Sequence, residues 1–570
     1  MRLAWSLWLL SAALVANASG GSARDAEVLA SATAAPGYEI VELVRGAALH
    51  GANGTYVGPD GLLYVASVFG GEIVAFDVDR GEVVRRYGSE DGVLGPDDVT
   101  FGPDGSLYWT DIMAGEVGRR APDGVVTKQF VAPGVNPITF SPDGRLFVGL
   151  CLLGDGLYEL DPELVLPPRP IVVASEENPF PLGFFNAFSF GPDGRLYGPL
   201  YAAGMVIGFD VDSCESTSQP WADCDVRVLA SGFHTPVAAK FDAHGVLHVL
   251  DQGTGELFAV ALETGEGTVV AELVQGLDNL AFDASGRLFV TNADDGSVVE
   301  VLAGRGVRTL SPGGLILPTG LVVLERPDGG ASLFVGDGWR LWEFDAATGA
   351  QIGFRKGSLT GQGMVPPHAI ARDGDHLILS GSLSALTQVI DPWSGEVLEQ
   401  HAFGFPYDAV RLGGDLAVVD LVAGGVVWAS TRDLILPIDG QQVFLPVGLA
   451  TDGERLWVSD WATGIVWQLA FEGTTPLPAV PVAFELANPE GLALDGAGGL
   501  LVVEAGAQRL SRVDLATGTV EEIAAGLEVG LPPVLADVPS YVRSGVTVDA
   551  EGAIYVAGDV ANVVYRITRR

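Results

Sequence analysis

One phrase recurs from end to end of this chain: VGPDGLLYVAS, FGPDGSLYWTD, FSPDGRLFVGL, FGPDGRLYGPL, FDASGRLFVTN, ATDGERLWVSD and VDAEGAIYVAG. A repeat unit of this kind buries its apolar faces only against copies of itself, so the period limits the architectures open to the chain. The turn glycine of each copy falls at Gly61, Gly105, Gly144, Gly194, Gly245, Gly286, Gly329, Gly374, Gly414, Gly453, Gly498 and Gly552. From Gly61 to Gly552 there are eleven steps over 491 residues, about 44.6 residues each. That length suits a four-stranded antiparallel blade. Alternating apolar positions on either side of a Pro-Asp-Gly turn supply two strands, and segments such as FDVDRGEV, FDAATGA, IDPWSGEV and VDLATGTV supply the next hairpin through Asp and Gly. Propeller rings hold four to eight blades, so twelve units predict an all-β chain of two tandem six-bladed β-propellers rather than a single ring or a solenoid.

The expected division is a signal peptide over 1–18, a flexible N-terminal segment over 19–37, a first propeller over 38–305 and a second over 306–570. The seam falls near Ala303–Pro312. The chain opens with a lone strand, YEIVELV (Tyr38–Val44), and its last unit has only three strand-like runs. A symmetrical exchange of closing strands follows: residues 38–44 are expected to complete the sixth blade against Val298–Leu302, and Val307–Leu310 the twelfth against Val563–Thr568. Either closure removes an exposed sheet edge.

The 72 Asp and Glu against 31 Lys and Arg leave a net charge of −41, a field that repels phosphate backbones and anionic lipid, so nucleic acid and acidic membranes are excluded as partners. The opening MRLAWSLWLLSAALVANA carries Arg2, an apolar core and small residues at Ala16 and Ala18, which reads as a cleaved secretory signal. Its apolar run is shorter than the ~20 residues of a membrane-spanning helix, and no later segment has that length. An exported protein, periplasmic or extracellular, can form disulfides, and Cys214 and Cys224 bracket an insertion (CESTSQPWADC) that a bridge would staple. Cys151, in the apolar run LFVGLC, reads as a buried small hydrophobe rather than a nucleophile.

In a propeller the innermost strands line a central channel, so one register repeated in every blade converges there. Eight residues before each turn glycine stand Asn53, Asp97, Asn136, Asn186, Val237 and Asp278 in the first six units. The same step in the second six gives Leu321, Pro366, Pro406, Leu445, Glu490 and Ser544. The chain has only nine asparagines, and three of them fall at this register of one ring. Turn stabilisation by local side-chain hydrogen bonds explains Asn and Asp in either ring but not their concentration in one. Such oxygen donors suit Ca2+ or another hard divalent cation. The seven scattered His and three Cys make no zinc motif, and GxSxG, P-loop and helix-opening GxGxxG motifs are absent from the sequence.

These phrases resemble the superfamily of senescence marker protein (regucalcin), gluconolactonase and diisopropyl fluorophosphatase, six-bladed propellers with calcium at the channel mouth. GANGTYVGPDGLLYVAS resembles the superfamily's first-blade phrase, with Asn53 where a Glu stands in the family. GVNPITFSPDGRLFV and FNAFSFGPDGRLYG resemble the Asn phrases of its third and fourth blades, and GLDNLAFDASGRLFVTN its Asp phrase, which implies ligand roles for Asn136, Asn186 and Asp278. The family's Asp belongs to the fifth blade, where this chain has Val237, with His234 three residues earlier; Asp97 and Asp98 in the second unit offset the missing Glu.

The resemblance implies a calcium-dependent hydrolase of a lactone, ester or related small molecule, in which Asn53, Asp97, Asn136, Asn186 and Asp278 hold the metal and Asp97, Asp98, Asp278 or His234 activates water. The rival is a non-catalytic exported scaffold of NHL type, with structural calcium and loops offered to a protein or glycan. The second half fits that role: it holds seven of eleven Trp, among them Trp339, Trp342, Trp457 and Trp461, which read as blade-packing core. A quinoprotein dehydrogenase is the third reading, since DxxTGxV turns occur in those propellers; the Trp that usually follows them is missing here.

Overall fold

The structure is a computed structural model that describes residues 32–151, 153–214, 224–304, 306–327, 329–358, 363–532 and 544–570. The expected signal over 1–18 lies outside the described residues. Two compact units emerge: Ala47–Gly314, and a second made of the chain up to Gly46 together with Leu315–Arg570.

The first unit contains six four-stranded antiparallel sheets, blades 1 to 6, each a meander in chain order. Their first strands are Thr55–Val57, Pro96–Phe101, Val135–Phe140, Ser189–Phe190, Pro236–Phe241 and Leu277–Phe282. These touch in cyclic order, the sixth against the first, which closes a ring. Strand alternation accounts for the packing. One face of blade 1 (Tyr64, Ala66, Ile73, Ala75) packs on Val99, Leu107 and Trp109 of blade 2, and the other (Leu63, Val65, Val74) on Phe289 and Val298 of blade 6. The Pro-Asp-Gly turns need glycine: Gly61 and Gly105 sit at φ +79° and +82°, where a Cβ is disfavoured.

Blades 7 to 12 form a second ring, begun by Pro318–Glu325, Ala369–Asp373, Pro406–Leu412, Pro446–Thr451, Pro489–Leu494 and Val546–Val548. The chain is therefore all-β, two six-bladed propellers, but the expected exchange of closing strands is wrong. Val307–Ser311 pairs with Val298–Val301 and completes blade 6. Tyr38–Arg45 pairs with Val563–Arg569, from Tyr38↔Arg569 to Arg45↔Val563, and completes blade 12. The physical reason is local: Leu302 N donates to Gly306 O (2.8 Å) around Gly304 at φ +90°, a short hairpin whose closure costs little chain entropy. The first propeller thus closes from consecutive strands, and residues 38–46 leave the expected 38–305 domain to join 315–570. Thr33–Ala34, within the segment expected to be flexible, adds a fifth strand to blade 11 against Ala524 and Ala525.

Much of the acidic excess is structural. At the end of the second strand of many blades a buried carboxylate accepts two consecutive amides of the loop leading into the first strand: Asp111 from Leu94 and Gly95, Asp251 from His234 and Thr235, Asp420 from Gly404 and Phe405, Asp460 from Phe444 and Leu445. Asp337 accepts from Ile316, Leu317 and the Trp342 indole, and burial pushes its pKa up to about 7. Asp337→Ala, which strands all three donors, is expected to cost about 3 kcal/mol or more of second-propeller stability in denaturant titration. Trp342 and Trp457 are buried among the blades, as are Trp428 and Trp467, whereas Trp339 and Trp461, also expected in the core, are only half-buried. Cys214 and Cys224 form the expected disulfide. Cys151 is unbridged and only half-buried, a correction to its reading as a buried hydrophobe. Among the described residues no helix is long and apolar enough to cross a membrane.

Candidate functional site

In four of the first propeller's six blades the register picked out in the sequence coincides with a β-bulge, while Asn53 and Asn186 stand just before the first strands of blades 1 and 4. In blade 2 the pairing jumps from Pro96↔Asp111 to Val99↔Trp109, which leaves Asp97 and Asp98 out of the ladder. The same break sets apart Asn136 and Pro137 between Val135 and Ile138, Val237 between Pro236 and Ala238, and Asp278 and Asn279 between Leu277 and Leu280. A bulge frees a residue from the pleat and re-aims its side chain, here at the strand end that opens on the channel. In the second propeller the bulged residues are Thr319, Tyr407, Val447 and Glu490, so the expected Leu321, Pro406 and Leu445 are off register because the following turns differ in length. Of these four positions only Glu490 is a carboxylate; it is buried and accepts from Ser544 N (2.7 Å).

In the first propeller, Asp97, Asp98 and Asn136 are buried. Asn53 donates to the Asp97 carboxylate, and its own Oδ1 accepts from Val68 N at 3.4 Å. Burial, then repulsion from Asp98, pushes the Asp97 pKa up to about 7. Asp278 is raised well above the ordinary range by burial and then by Asp97, Asp98 and Asp294. Asn136 Nδ2 donates to Asn186 Oδ1 (3.1 Å), while Asn136 Oδ1 is buried with no hydrogen-bond partner.

Asp98 has a different task. Its Oδ1 accepts from Val99 N (2.9 Å) and Asn279 Nδ2 (3.1 Å), and its Oδ2 from Ile138 N (3.2 Å) in blade 3. Asp408 repeats the pattern in the second propeller, accepting from Ala409 N (2.9 Å) and, in the next blade, Leu449 N (2.8 Å). The carboxylate at this position staples neighbouring innermost strands, which accounts for Asp98 without catalysis. His234 is exposed; its ring Nδ1 lies 2.9 Å from Thr235 Oγ1 and its amide is held by Asp251. It makes no described hydrogen bond to the channel carboxylates.

Sequence reasoning missed Lys240, Asn279 and Tyr201. Lys240, on the first strand of blade 5, lowers the pKa of both Asp98 in blade 2 and Asp278 in the neighbouring blade 6. Its scarcity was the available signal, since Lys240 is one of three lysines in the chain. Tyr201 is 36% exposed, yet desolvation of its hydroxyl pushes the pKa up to about 12, with Cys151, Asp294 and Asp278 adding to the rise.

Among the described residues, no group of three or more His, Cys, Asp or Glu is gathered closely enough to hold a metal ion. A cation here must therefore rest on a mixed carboxylate and amide set. The residues fit such an ion: the donors are hard oxygens, the buried carboxylates repel one another, and Asn136 Oδ1 is stranded.

No family model matches the chain, and no curated protein matches it. Solved structures that are similar include virginiamycin B lyase from Staphylococcus aureus, at 13% identity over 53% of this chain and 96% of that one with a TM-score of 0.36. A structure named "putative gluconolactonase in protein family" is 16% identical over 49% of this chain and 94% of that one, with a TM-score of 0.34. The extracellular domain of a two-component system protein from B. thetaiotaomicron is 12% identical over 93% of this chain and 82% of that one, with a TM-score of 0.31.

Proposed function

We propose that the first propeller binds a hard divalent cation, Ca2+ by its chemistry, in its channel and hydrolyses a lactone, ester or related small molecule there. The observation that carries the reading is the stranded Asn136 Oδ1, a buried acceptor without a donor beside a set of mutually repelling carboxylates. Such an arrangement is costly unless a positive charge completes it. Asn53, Asn136, Asn186, Asp97 and Asp278 would hold the ion, which when bound polarises a carbonyl oxygen. The oxygens of Asp98 are spent on backbone amides and on Asn279, so Asp97 or Asp278 is the group left to take a proton from water. The restriction to lactones and esters rests on the phrases around Asn53, Asn136, Asn186 and Asp278. The signal-like opening and the Cys214–Cys224 bridge support export to the periplasm or the exterior.

A second reading, a cation-binding scaffold that offers its loops to a protein or glycan without turnover, is favoured by the exposed His234, whose ring meets Thr235 rather than a channel carboxylate. Removal and restoration of calcium on purified protein, followed by a panel of lactones, aryl esters and phosphotriesters, separates the two. Hydrolysis is expected to vanish with the metal and to return with it, and Asn136→Ala and Asn186→Ala are each expected to weaken cation binding about 10–100-fold. Unchanged affinity and turnover in both variants sink the channel site. Tight cation binding without turnover selects the scaffold.

A further inference from the structure

Asp97 and Asp278, the two carboxylates assigned to the cation, each share a bulge with a second polar residue: Asp98 beside Asp97, and Asn279 beside Asp278. Both of these neighbours are buried, and they meet. Asn279 Nδ2 donates to Asp98 Oδ1 at 3.1 Å, although Asn279 belongs to blade 6 and Asp98 to blade 2, with the first strand of blade 1 between them in the ring. Gly54 of blade 1 leaves room for this contact, since a Cβ there would lie 2.2 Å from Asp98 Oδ1. Each partner is fixed in turn. Asp98 also accepts from Val99 N and Ile138 N. Asn279 Oδ1 accepts from Leu280 N (2.8 Å), and Asn279 N donates to Thr291 Oγ1 (3.2 Å), whose hydroxyl donates to Asn53 O (2.5 Å) in blade 1. The second propeller has the strand staple of Asp408 without the crossing bond: two blades before Asp408 the corresponding bulge residue is Gly320, which has no side chain to donate. The crossing therefore belongs to the ring that carries the Asn and Asp register.

We propose that Asn279 is a positioning residue whose bond to Asp98 clamps the two bulges together, holds Asp97 and Asp278 at one spacing, and thereby favours Ca2+ over Mg2+. The clamp rests on the cation reading above. It acts against a repulsion, because Asp278 lies in the field of Asp97. A set of protein oxygens held in place from several blades suits Ca2+, which takes six to eight oxygen ligands, about 2.3–2.6 Å away. Mg2+ keeps several of its waters and leans on one or two carboxylates, so it gains less from a fixed spacing. Residues that hold metal ligands from behind contribute to affinity without touching the ion.

Calorimetric titration of metal-depleted, full-length protein with Ca2+ and separately with Mg2+ tests the clamp. Asn279→Ala is expected to weaken Ca2+ binding about tenfold and Mg2+ binding about threefold or less, so the preference for Ca2+ narrows. Thr291→Val removes the hydroxyl that takes the Asn279 amide; it is expected to act in the same direction with a smaller effect, and it carries the test if Asn279→Ala does not fold. Tyr108→Phe, which loses a hydrogen bond to Pro162 O (2.7 Å) away from the bulges, is the control for lost stability and is expected to leave the ratio of the two affinities unchanged. A ratio equal to that of wild type in both bulge variants, or an equal loss of both cations, overturns the clamp and leaves the cation site standing. Wild-type protein that binds no Ca2+ overturns the site and the clamp together.

Discussion

Deletion of residues 32–46 is expected to unfold the second propeller while leaving Ala47–Gly314 intact. The strand Tyr38–Arg45 is the outer strand of blade 12, and its pairing with Val563–Arg569 joins the two ends of the described chain. Without it a three-stranded blade presents an open edge, and Val44, Tyr38 and Ile40 leave the clusters on the two faces of that blade. The lost ladder and apolar burial together amount to several kcal/mol, about the stability of many whole domains. The first propeller closes blade 6 from its own Val307–Ser311 and has no use for the segment. Tryptophan fluorescence reads the loss, because seven of the eleven Trp lie in the second half and Trp342, Trp428, Trp457 and Trp467 are buried there. Limited proteolysis reads the survivor, a resistant fragment near residues 47–314. Exchange of closing strands, the arrangement the sequence suggests, predicts the opposite: damage to blade 6 and to the first propeller.

The second large effect concerns charge. Asp278→Asn is expected to stabilise the cation-free first propeller and to remove most of the stabilisation that calcium brings. In the cation-free protein, burial and the neighbouring Asp97, Asp98 and Asp294 raise the Asp278 pKa, so its ionised form is held at a cost. Asparagine keeps an oxygen acceptor and drops the charge, a gain of about 1–3 kcal/mol without metal. The same change deletes a charged ligand of the proposed ion. The pH dependence has a definite sign. A carboxyl raised on folding binds more protons in the folded state, so stability falls as pH rises through the window between its unfolded and folded values. For Asp97 that window runs from 3.8 to about 7. Calorimetry of metal-depleted protein across it, with and without calcium, should show wild-type stability falling with pH, a shallower fall in Asp278→Asn, and restoration by calcium only in wild type. A lower midpoint of the variant in metal-free buffer contradicts the repulsion on which the channel assignment depends.

The channel shows how far the sequence reaches. Asn53, Asp97, Asn136, Asn186 and Asp278 were legible because a repeat converts spacing along the chain into position around a ring. Asp98 sat beside that register and read as a base, yet its contacts match those of Asp408, and both staple adjacent strands. Lys240 had no motif: its weight comes from lowering the pKa of Asp98, three blades away in sequence, and of Asp278 in the next blade. His234 was plausible by proximity to Val237, but Asp251 fixes the loop so that the ring meets Thr235.

By itself the sequence determined the blade, its number and the two rings. A Pro-Asp-Gly turn, period-two alternation and a repeat of about 44.6 residues are local or periodic properties, and local backbone preference writes them directly into the chain. Only the tertiary structure decided which strand closes which ring, which acidic residues hold amides and which confront one another. These depend on pairings such as Tyr38 with Arg569, between residues separated by nearly the whole chain, where the competition among alternative partners is settled by packing and loop closure rather than by any local preference.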